Sequence, residues 1–197
     1  MALLYSTQSE MNSIAPPFSL PGVDGKTYSL DYFKDQKALL IVFMCNHCPY
    51  VIAVQDRINH LAKEFVSQKV ATLGISSNDP NYKDDDSFEN MKIHSAKNGF
   101  VFPYLFDESQ TVARAYDAVC TPDPYLYENV NYGKELPPEF RLRYRGRIDD
   151  SWKDESKVTE QSLKRAIESV LKHEPLTGEF IPSMGCSIKW KELTPKK

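Results

Sequence analysis

The sequence lacks three features that would place it in a large functional class at once: a long apolar run, an excess of basic residues and an internal repeat. Its longest uninterrupted apolar run covers residues 38–44, far short of the roughly 20 residues that span a bilayer. The net charge of −3 supplies no strong positive field for a polyanion. We therefore expect no membrane span and no nucleic-acid partner.

A secretion signal is also missing from the first residues. Residues 1–10 have neither a basic start nor an apolar stretch of signal-peptide length, which predicts a cytoplasmic location. In that reducing compartment, the four cysteines are not expected to form a static disulfide framework. A close pair of cysteines is then expected to be redox-active or to bind a metal.

The apolar pattern predicts an α/β domain. Residues 18–20 and 27–30 flank Asp24-Gly25 and predict a hairpin, and residues 38–44 predict a strand buried on both faces. Later patterns predict helices from residue 49, over 87–97 and 109–118, and after a Thr159 cap, with strands over 70–75, 102–106, 124–127 and 141–145. This order predicts a mixed central sheet flanked by helices.

One domain accounts for most of the chain, because no second domain and no low-complexity tract is recognisable. We predict an N-terminal extension at residues 1–13, the domain at 14–173 and a C-terminal tail at 174–197. The tail has too few apolar residues to fold alone. Those it has are expected to dock it onto the domain: Phe180, Ile181, Met184, Ile188 and Trp190.

A Cys-x-x-Cys motif, Cys45-Asn46-His47-Cys48, lies between the predicted buried strand and the helix that follows. If the helix begins near Cys45, both cysteines occupy its first turn and are close enough to form a disulfide. Free backbone N–H groups and the helix dipole would lower the pKa of the Cys45 thiol and make it the attacking group. A positive charge on His47 would favour the thiolate further.

Two other interpretations of the motif are open. A Cys-x-x-Cys pair can be half of a zinc site, but zinc takes four ligands and the sequence has no second Cys-x-x-Cys or His-x-x-His pair. The two cysteines can also be merely structural and buried. The order strand, Cys-x-x-Cys, helix favours a redox-active dithiol over both.

Five segments in order carry a resemblance to a known family. They are Phe-Met-Cys-Asn-His-Cys-Pro-Tyr at 43–50, Ser-Ser-Asn-Asp-Pro at 76–80, Phe-Pro-Tyr-Leu-Phe-Asp at 102–107, Cys-Thr-Pro-Asp at 120–123 and Tyr-Arg-Gly-Arg-Ile-Asp-Asp at 144–150. From about Ile14 to Trp190 the chain resembles the peroxiredoxin-like branch of the thioredoxin superfamily, grouped with the alkyl hydroperoxide reductase and thiol-specific antioxidant proteins. The resemblance implies a thioredoxin fold, with the hairpin as an N-terminal extension.

The resemblance also implies roles for single residues. By similarity to thioredoxins, Cys45 is the attacking thiol and Cys48 the resolving thiol. Pro122, after Thr121, would be a cis-proline whose loop faces the active site and binds an extended substrate segment. Peroxiredoxins instead have their peroxide-reactive cysteine where Cys48 stands, and Thr or Ser where this chain has Cys45. That difference argues against peroxidase activity.

We therefore expect a thiol–disulfide oxidoreductase that uses Cys45 and Cys48, with Asn46 and His47 tuning the pair and with no organic cofactor or resident metal. Its partners would be a protein or small-molecule thiol or disulfide and an unidentified thiol reductant. The alternatives are a thiol peroxidase and a copper- or zinc-binding protein. Cys120, next to Thr121, and Cys186, in the tail, are candidate additional thiols, the latter as a second resolving cysteine.

Three other groups of charged residues and histidines are expected to be structural. The acidic run Asp84-Asp85-Asp86 predicts a solvated helix start. Four alternating arginines predict a solvated sheet face, with an anion or acidic-partner site as the alternative: Arg141, Arg143, Arg145 and Arg147. His60 and His94 are predicted to lie on the surface, and His173 to match the dipole at a helix C-terminus.

Overall fold

The structure is a computed structural model that describes residues 3–178 and 180–191. Its strands are Leu3–Tyr5 (β1), Ser19–Pro21 (β2), Thr27–Ser29 (β3), Ala38–Phe43 (β4), Val70–Ser76 (β5), Tyr104–Phe106 (β6), Cys120–Thr121 (β7), Asp123–Asn129 (β8), Phe140–Arg145 (β9) and Met184–Ser187 (β10). Its helices are Pro49–Phe65 (α1), Phe88–Lys97 (α2), Thr111–Ala115 (α3) and Ser162–Leu171 (α4). No helix among these residues has the length and apolarity needed to cross a membrane.

The central sheet is mixed, as predicted. Its strand order is β6-β5-β4-β8-β9. Strands β4, β5 and β6 run parallel, whereas β8 pairs antiparallel with both β4 and β9. The predicted hairpin is also present, as β2 and β3.

Strand β4 lies at the middle of the sheet and is buried on both faces. Because successive side chains alternate, Leu40 and Val42 pack with helices α1, α2 and α4 on one face. Leu39 and Ile41 pack on the other face with α3 and the hairpin. Packing on both faces holds β4 in place, and the cysteine motif comes directly after the end of this strand.

Helix α1 begins at Pro49, as the apolar pattern predicts, and not near Cys45, the start that would put both cysteines in its first turn. Proline at the first helical position loses no hydrogen bond there, and its fixed φ suits a helix start. Cys48 is the N-cap residue and has extended backbone (φ −74°, ψ 120°). The expectation that both cysteines occupy the first turn is therefore wrong, and Cys48 is the one that lies at the positive end of the helix.

The N-terminal segment and the C-terminal tail meet in a second, three-stranded sheet of order β1-β10-β7. Ile188 is buried, its backbone N–H donates to the Val119 carbonyl at 2.9 Å, and Phe180 packs edge-on against Tyr144. Ile181 stays largely exposed. Residues 1–2, 179 and 192–197 of the predicted extension and tail lie outside the described residues.

The prediction of a solvated arginine face is wrong for Arg145. Its side chain is 2% exposed and its guanidinium bonds the fully buried Asp123 carboxylate at 2.7 Å. It also donates to Thr7 and Ser9, and it lies over the Tyr125 ring at 4.4 Å. Arg145 thus ties the N-terminal segment to the sheet. The other three arginines form partly exposed ion pairs, Arg141 with Glu139, Arg143 with Glu128 and Arg147 with Glu160.

Two further local predictions differ from the structure. Thr159 does not cap α4, whose N-cap is Gln161, because the Thr159 hydroxyl instead donates to the Asp150 carboxylate. His94 is half-buried beside Phe100, and burial lowers its pKa, so it is not a free surface residue. His60 is exposed as predicted, and His173 follows the end of α4 and contacts Glu128.

We predict that Arg145→Leu lowers the free energy of unfolding by about 3–5 kcal/mol, because it leaves the buried Asp123 charge unpaired. The matched control is Arg141→Leu on the same strand, whose ion pair is partly exposed and which should cost less than about 1 kcal/mol. Urea unfolding followed by circular dichroism measures both. Equal losses in the two variants would contradict a special role for the buried pair.

Candidate active site

The cysteine motif lies where β4 ends and α1 begins, facing the loop at Thr121. The Cys48 sulfur lies 3.2 Å from the Thr121 carbonyl oxygen, to which the thiol donates when it is protonated, and the Cys45 sulfur lies 3.5 Å from the Thr121 hydroxyl oxygen. Cys45 and Cys48 are 1% and 0% exposed. Both thiols of the motif are therefore inside the protein and in contact with one residue.

The Thr121–Pro122 peptide bond is cis, as predicted. Cis bonds are uncommon even before proline, so the cis bond predicted from the segment Cys120-Thr121-Pro122 was a specific prediction. The bond lies between β7 and β8, and it places Thr121 beside the cysteine pair. The substrate-binding role of this loop stays a prediction.

A buried carboxylate, Asp86, holds the backbone of the motif. Its oxygens accept the Asn46 backbone N–H at 2.8 Å, His47 Nδ1 at 2.6 Å and Asn78 Nδ2 at 2.7 Å. Asp86 is 0% exposed, so the predicted solvated acidic run is wrong at this residue. Burial raises its pKa, but the hydrogen bonds from His47 and Asn78 and the His47 charge lower it overall, which keeps Asp86 ionised.

The Asn46 side chain is fixed at both of its ends. Its amide nitrogen donates to the Asp85 carbonyl at 2.6 Å, and its oxygen accepts from the hydroxyl of the buried Tyr104 at 3.0 Å. Gly74 gives this tyrosine room, since a Cβ there would lie 3.0 Å from its ring. Asn46 therefore joins the motif to β6.

The two thiols of the motif differ in acidity. The pKa of Cys48 is lowered to about 5, first by the hydrogen bond from Cys45, then by one from Cys186 and by the Val51 backbone N–H at the helix start. The pKa of Cys45 is raised by the same hydrogen bond to Cys48, by burial and by the charge of Asp86. The thiolate is thus favoured at Cys48, the reverse of the predicted order.

The structure places the two candidate additional thiols differently. Cys186 is in the cluster, because β10 aligns it with Thr121 and it packs in the same buried core as Cys45 and Cys48. Cys120 precedes Thr121 on β7, so its side chain points to the opposite face. Burial and the Asp123 charge raise its pKa, which makes Cys120 a poor nucleophile.

One group of side chains fits the donor set of a metal. Cys45, His47 and Asp86 each offer a ligand atom, and these atoms lie within 4.8 Å of one another. His47 Nε2 is buried and has no hydrogen-bond partner among the described residues. Because His47 Nδ1 and Asp86 already bond each other, a metal would have to bind at Nε2 or to break that contact.

Sequence reasoning missed Asp86, Asn78 and Tyr104. Their segments were noted, at 76–80, 84–86 and 102–107, but periodicity does not show which member of an acidic run is buried. Chemistry could have indicated the buried acidic residue. The backbone N–H groups of the motif loop need a hydrogen-bond acceptor, and a buried carboxylate supplies one.

Comparison with known families agrees with this geometry. The AhpC/TSA family model matches residues 11–150, which is more than half of the chain. The chain belongs to the AhpC/TSA family. Comparison with curated proteins finds no match.

Two solved structures resemble this AhpC/TSA protein over nearly their whole length. One is an uncharacterized conserved protein from Geobacillus kaustophilus, with 39% identity, a TM-score of 0.89 and coverage of 98% of this chain and 99% of that one. The other is a hypothetical protein from Sinorhizobium meliloti, with 35% identity, a TM-score of 0.87 and coverage of 95% and 98%. Neither printed name states an activity.

A more distant structure shows the fold. The pneumococcal exposed lipoprotein thioredoxin from Streptococcus pneumoniae is 23% identical, with a TM-score of 0.57 and coverage of 80% of this chain and 99% of that one. The thioredoxin fold expected for this AhpC/TSA protein is therefore confirmed, and the order of strands and helices agrees with it.

We predict that Asp86→Asn lowers the free energy of unfolding by about 2 kcal/mol, because it replaces a charged acceptor of three hydrogen bonds by a neutral amide. It should also lower the pKa of Cys45, since one negative charge beside that thiol is removed. Urea unfolding and thiol titration measure the two effects. Asp85→Asn, at an exposed neighbour, is the control and should change unfolding by less than about 0.5 kcal/mol.

Proposed function

We propose that this protein is a thiol–disulfide oxidoreductase in which Cys48 attacks and Cys45 resolves. The arrangement of the pair supports the proposal: Cys48 is the N-cap residue of α1, and the interaction with Cys45 is the largest effect on its pKa, which it lowers. A helix N-terminus and a donating thiol both stabilise a thiolate, which is the reactive form of cysteine. Cys45 lies beside the Asp86 charge, so it keeps its proton and reacts second, as the resolving thiol.

The reaction proceeds in two exchange steps. The Cys48 thiolate attacks one sulfur of a substrate disulfide, forms a mixed disulfide and releases the first substrate thiolate. Cys45 then attacks the Cys48 sulfur, the Cys45–Cys48 disulfide forms, and the second substrate thiolate leaves. The proton of Cys45 passes to a departing thiolate. Two electrons move from the protein to the substrate, and an external thiol reductant restores them.

The pKa shift of Cys45 supports this order of the two steps. The largest effect that raises the pKa of Cys45 is its hydrogen bond to Cys48. Once Cys48 is bonded to substrate it carries no negative charge, so this effect disappears and the pKa of Cys45 falls. Reaction at the first thiol therefore activates the second.

Glutathione disulfide tests the assignment, in a Cys186→Ser background so that only the pair can react. The parent should form one Cys45–Cys48 disulfide and release two glutathione thiols per protein. Cys45→Ser should stop at a glutathione adduct on Cys48, and Cys48→Ser should react on the order of 100-fold more slowly. Mass spectrometry after acid quenching resolves all three products.

The opposite trapping pattern would overturn the order of attack. If Cys45→Ser stays unmodified while Cys48→Ser accumulates an adduct on Cys45, then Cys45 attacks, as the motif alone suggested. If neither variant forms an adduct and the parent forms no disulfide, thiol–disulfide exchange at this pair is wrong.

A pH titration gives a second prediction. Because the pKa of Cys48 is lowered to about 5, its thiolate persists at neutral pH and is lost only as the pH falls through about 5. Absorbance at 240 nm of the reduced protein should show this thiolate, and Cys48→Ser should remove it. Absence of a thiolate signal below pH 8, near the ordinary range for a thiol, would contradict the assignment.

A thiol peroxidase is the second candidate, and the acidity of Cys48 is the observation that favours it. Attack of the Cys48 thiolate on a peroxide would give a sulfenic acid and release hydroxide or an alkoxide. Cys45 would then displace water from that sulfur and form the same disulfide. This alternative would be established if the protein reacts faster with hydrogen peroxide than with glutathione disulfide, and if the Cys45→Ser variant keeps that fast reaction with peroxide.

Metal binding is the third candidate, based on Cys45, His47 and Asp86. These side chains provide sulfur, nitrogen and oxygen donors that zinc accepts, and a fourth ligand would have to be supplied from outside this group. Metal analysis of freshly purified protein tests it. If each chain holds one zinc or copper ion tightly, metal binding becomes the preferred function in place of thiol–disulfide exchange.

A further inference from the structure

The tail strand β10 is paired with the strand that carries Thr121. In the antiparallel register Cys186 lies opposite Thr121, and the Thr121 carbonyl is also the acceptor of the Cys48 thiol. Cys48 and Cys186 belong to one buried cluster, and each shifts the pKa of the other. Two thiols that are far apart in the sequence thus meet at one peptide unit.

Close approach of β10 to this peptide requires Gly185. A Cβ at position 185 would lie 1.9 Å from the Thr121 carbonyl oxygen and 2.5 Å from its carbonyl carbon. Both are backbone atoms and cannot swing aside, so any larger residue would push β10 away. The Ser183 hydroxyl, which donates to the Pro122 carbonyl at 2.5 Å, holds the start of the strand on the same loop.

The opposite edge of β10 is also paired. Strand β1 aligns Leu3 with Cys186, so β10 lies between two strands. Cys186 is 3% exposed and belongs to the same core cluster as Cys45 and Cys48. It is a fixed member of the site and not a thiol on a loose tail.

We propose that Cys186 is a third redox thiol of the site, which exchanges with the Cys45–Cys48 disulfide and forms a Cys48–Cys186 disulfide. The inference rests on the proposed function, because oxidation of the pair supplies the disulfide. Cys48 is suited to be the shared sulfur, since it lies 3.2 Å from the carbonyl oxygen of Thr121, and Thr121 also contacts Cys45 and aligns with Cys186.

The exchange is balanced within the protein. Cys186 gives up its proton and attacks the Cys48 sulfur, so that the Cys48–Cys186 bond forms as the Cys45–Cys48 bond breaks. Cys45 leaves as a thiolate and takes up the proton. No oxidant is consumed, because one disulfide is present before and after the step.

The new disulfide would have a structural consequence. It would join β10 covalently to the N-terminus of α1 and so fix the tail over the Thr121 loop. It would also return Cys45 to the reduced state while Cys48 stays blocked. The oxidised protein would therefore exist as two isomers, one with the tail strand held by strand pairing alone and one with the tail strand also joined covalently to α1.

Disulfide mapping tests the proposal with diamide as a defined thiol oxidant. The reduced full-length protein is oxidised to equilibrium, quenched in acid and mapped by non-reducing mass spectrometry. The wild type should contain a Cys48–Cys186 fraction beside Cys45–Cys48. Cys45→Ser should contain Cys48–Cys186 as its main intramolecular disulfide.

Two variants sharpen the result in the Cys45→Ser background. Gly185→Ala keeps every remaining thiol but displaces β10, and it should lower the Cys48–Cys186 fraction by about tenfold. Cys120→Ser removes the neighbouring thiol that points to the opposite face, and it should leave that fraction unchanged. An equal loss in both variants would mean that the tail contact does not determine the pairing.

The proposal is overturned if the wild type contains only Cys45–Cys48, or if Cys186 in oxidised Cys45→Ser remains fully open to alkylation under denaturing conditions. The proposed function fails by a separate outcome, the absence of a Cys45–Cys48 disulfide in oxidised Cys186→Ser. The two failures are therefore distinguishable in the same experiment.

Discussion

The peptide unit of Thr121 is the contact on which the site depends. Its carbonyl accepts from Cys48, its hydroxyl lies beside Cys45, and its strand pairs with the tail at Cys186. Three parts of the chain are brought together at this point: the end of β4, the loop before β8 and the C-terminal strand. The cis bond that follows Thr121 is part of the same loop.

A second constraint acts from the other side of the motif. The buried Asp86 carboxylate holds the Asn46 backbone and His47, which fixes the loop between the two cysteines. Its charge lies near Cys45 and opposes ionisation there, whereas the helix start and the donating thiols favour ionisation of Cys48. The interaction between the two thiols is the largest cause of their difference in pKa, and residues outside the motif add to that difference.

Local patterns predicted much of the fold but less of the site. Short segments of the sequence encode the apolar run of β4, the Asp24-Gly25 turn and the residues around the Cys-x-x-Cys motif. The mixed sheet, the hairpin and the position of the motif could therefore be predicted. Asp86 and Arg145 could not, because burial of a charge depends on a distant partner that no local pattern reveals. The helix start at Pro49 could also be predicted, because proline is a usual first helical residue.

The central claim is that Cys48 forms a reversible two-electron disulfide within the site. Equilibration of the purified protein against mixtures of reduced and oxidised glutathione, followed by counting of free thiols, tests it most directly. The account predicts one transition that removes two thiols per chain without dimer formation, and that Cys48→Ser abolishes it. Loss of no thiols at any mixture, or an unchanged transition in Cys48→Ser, would contradict the account.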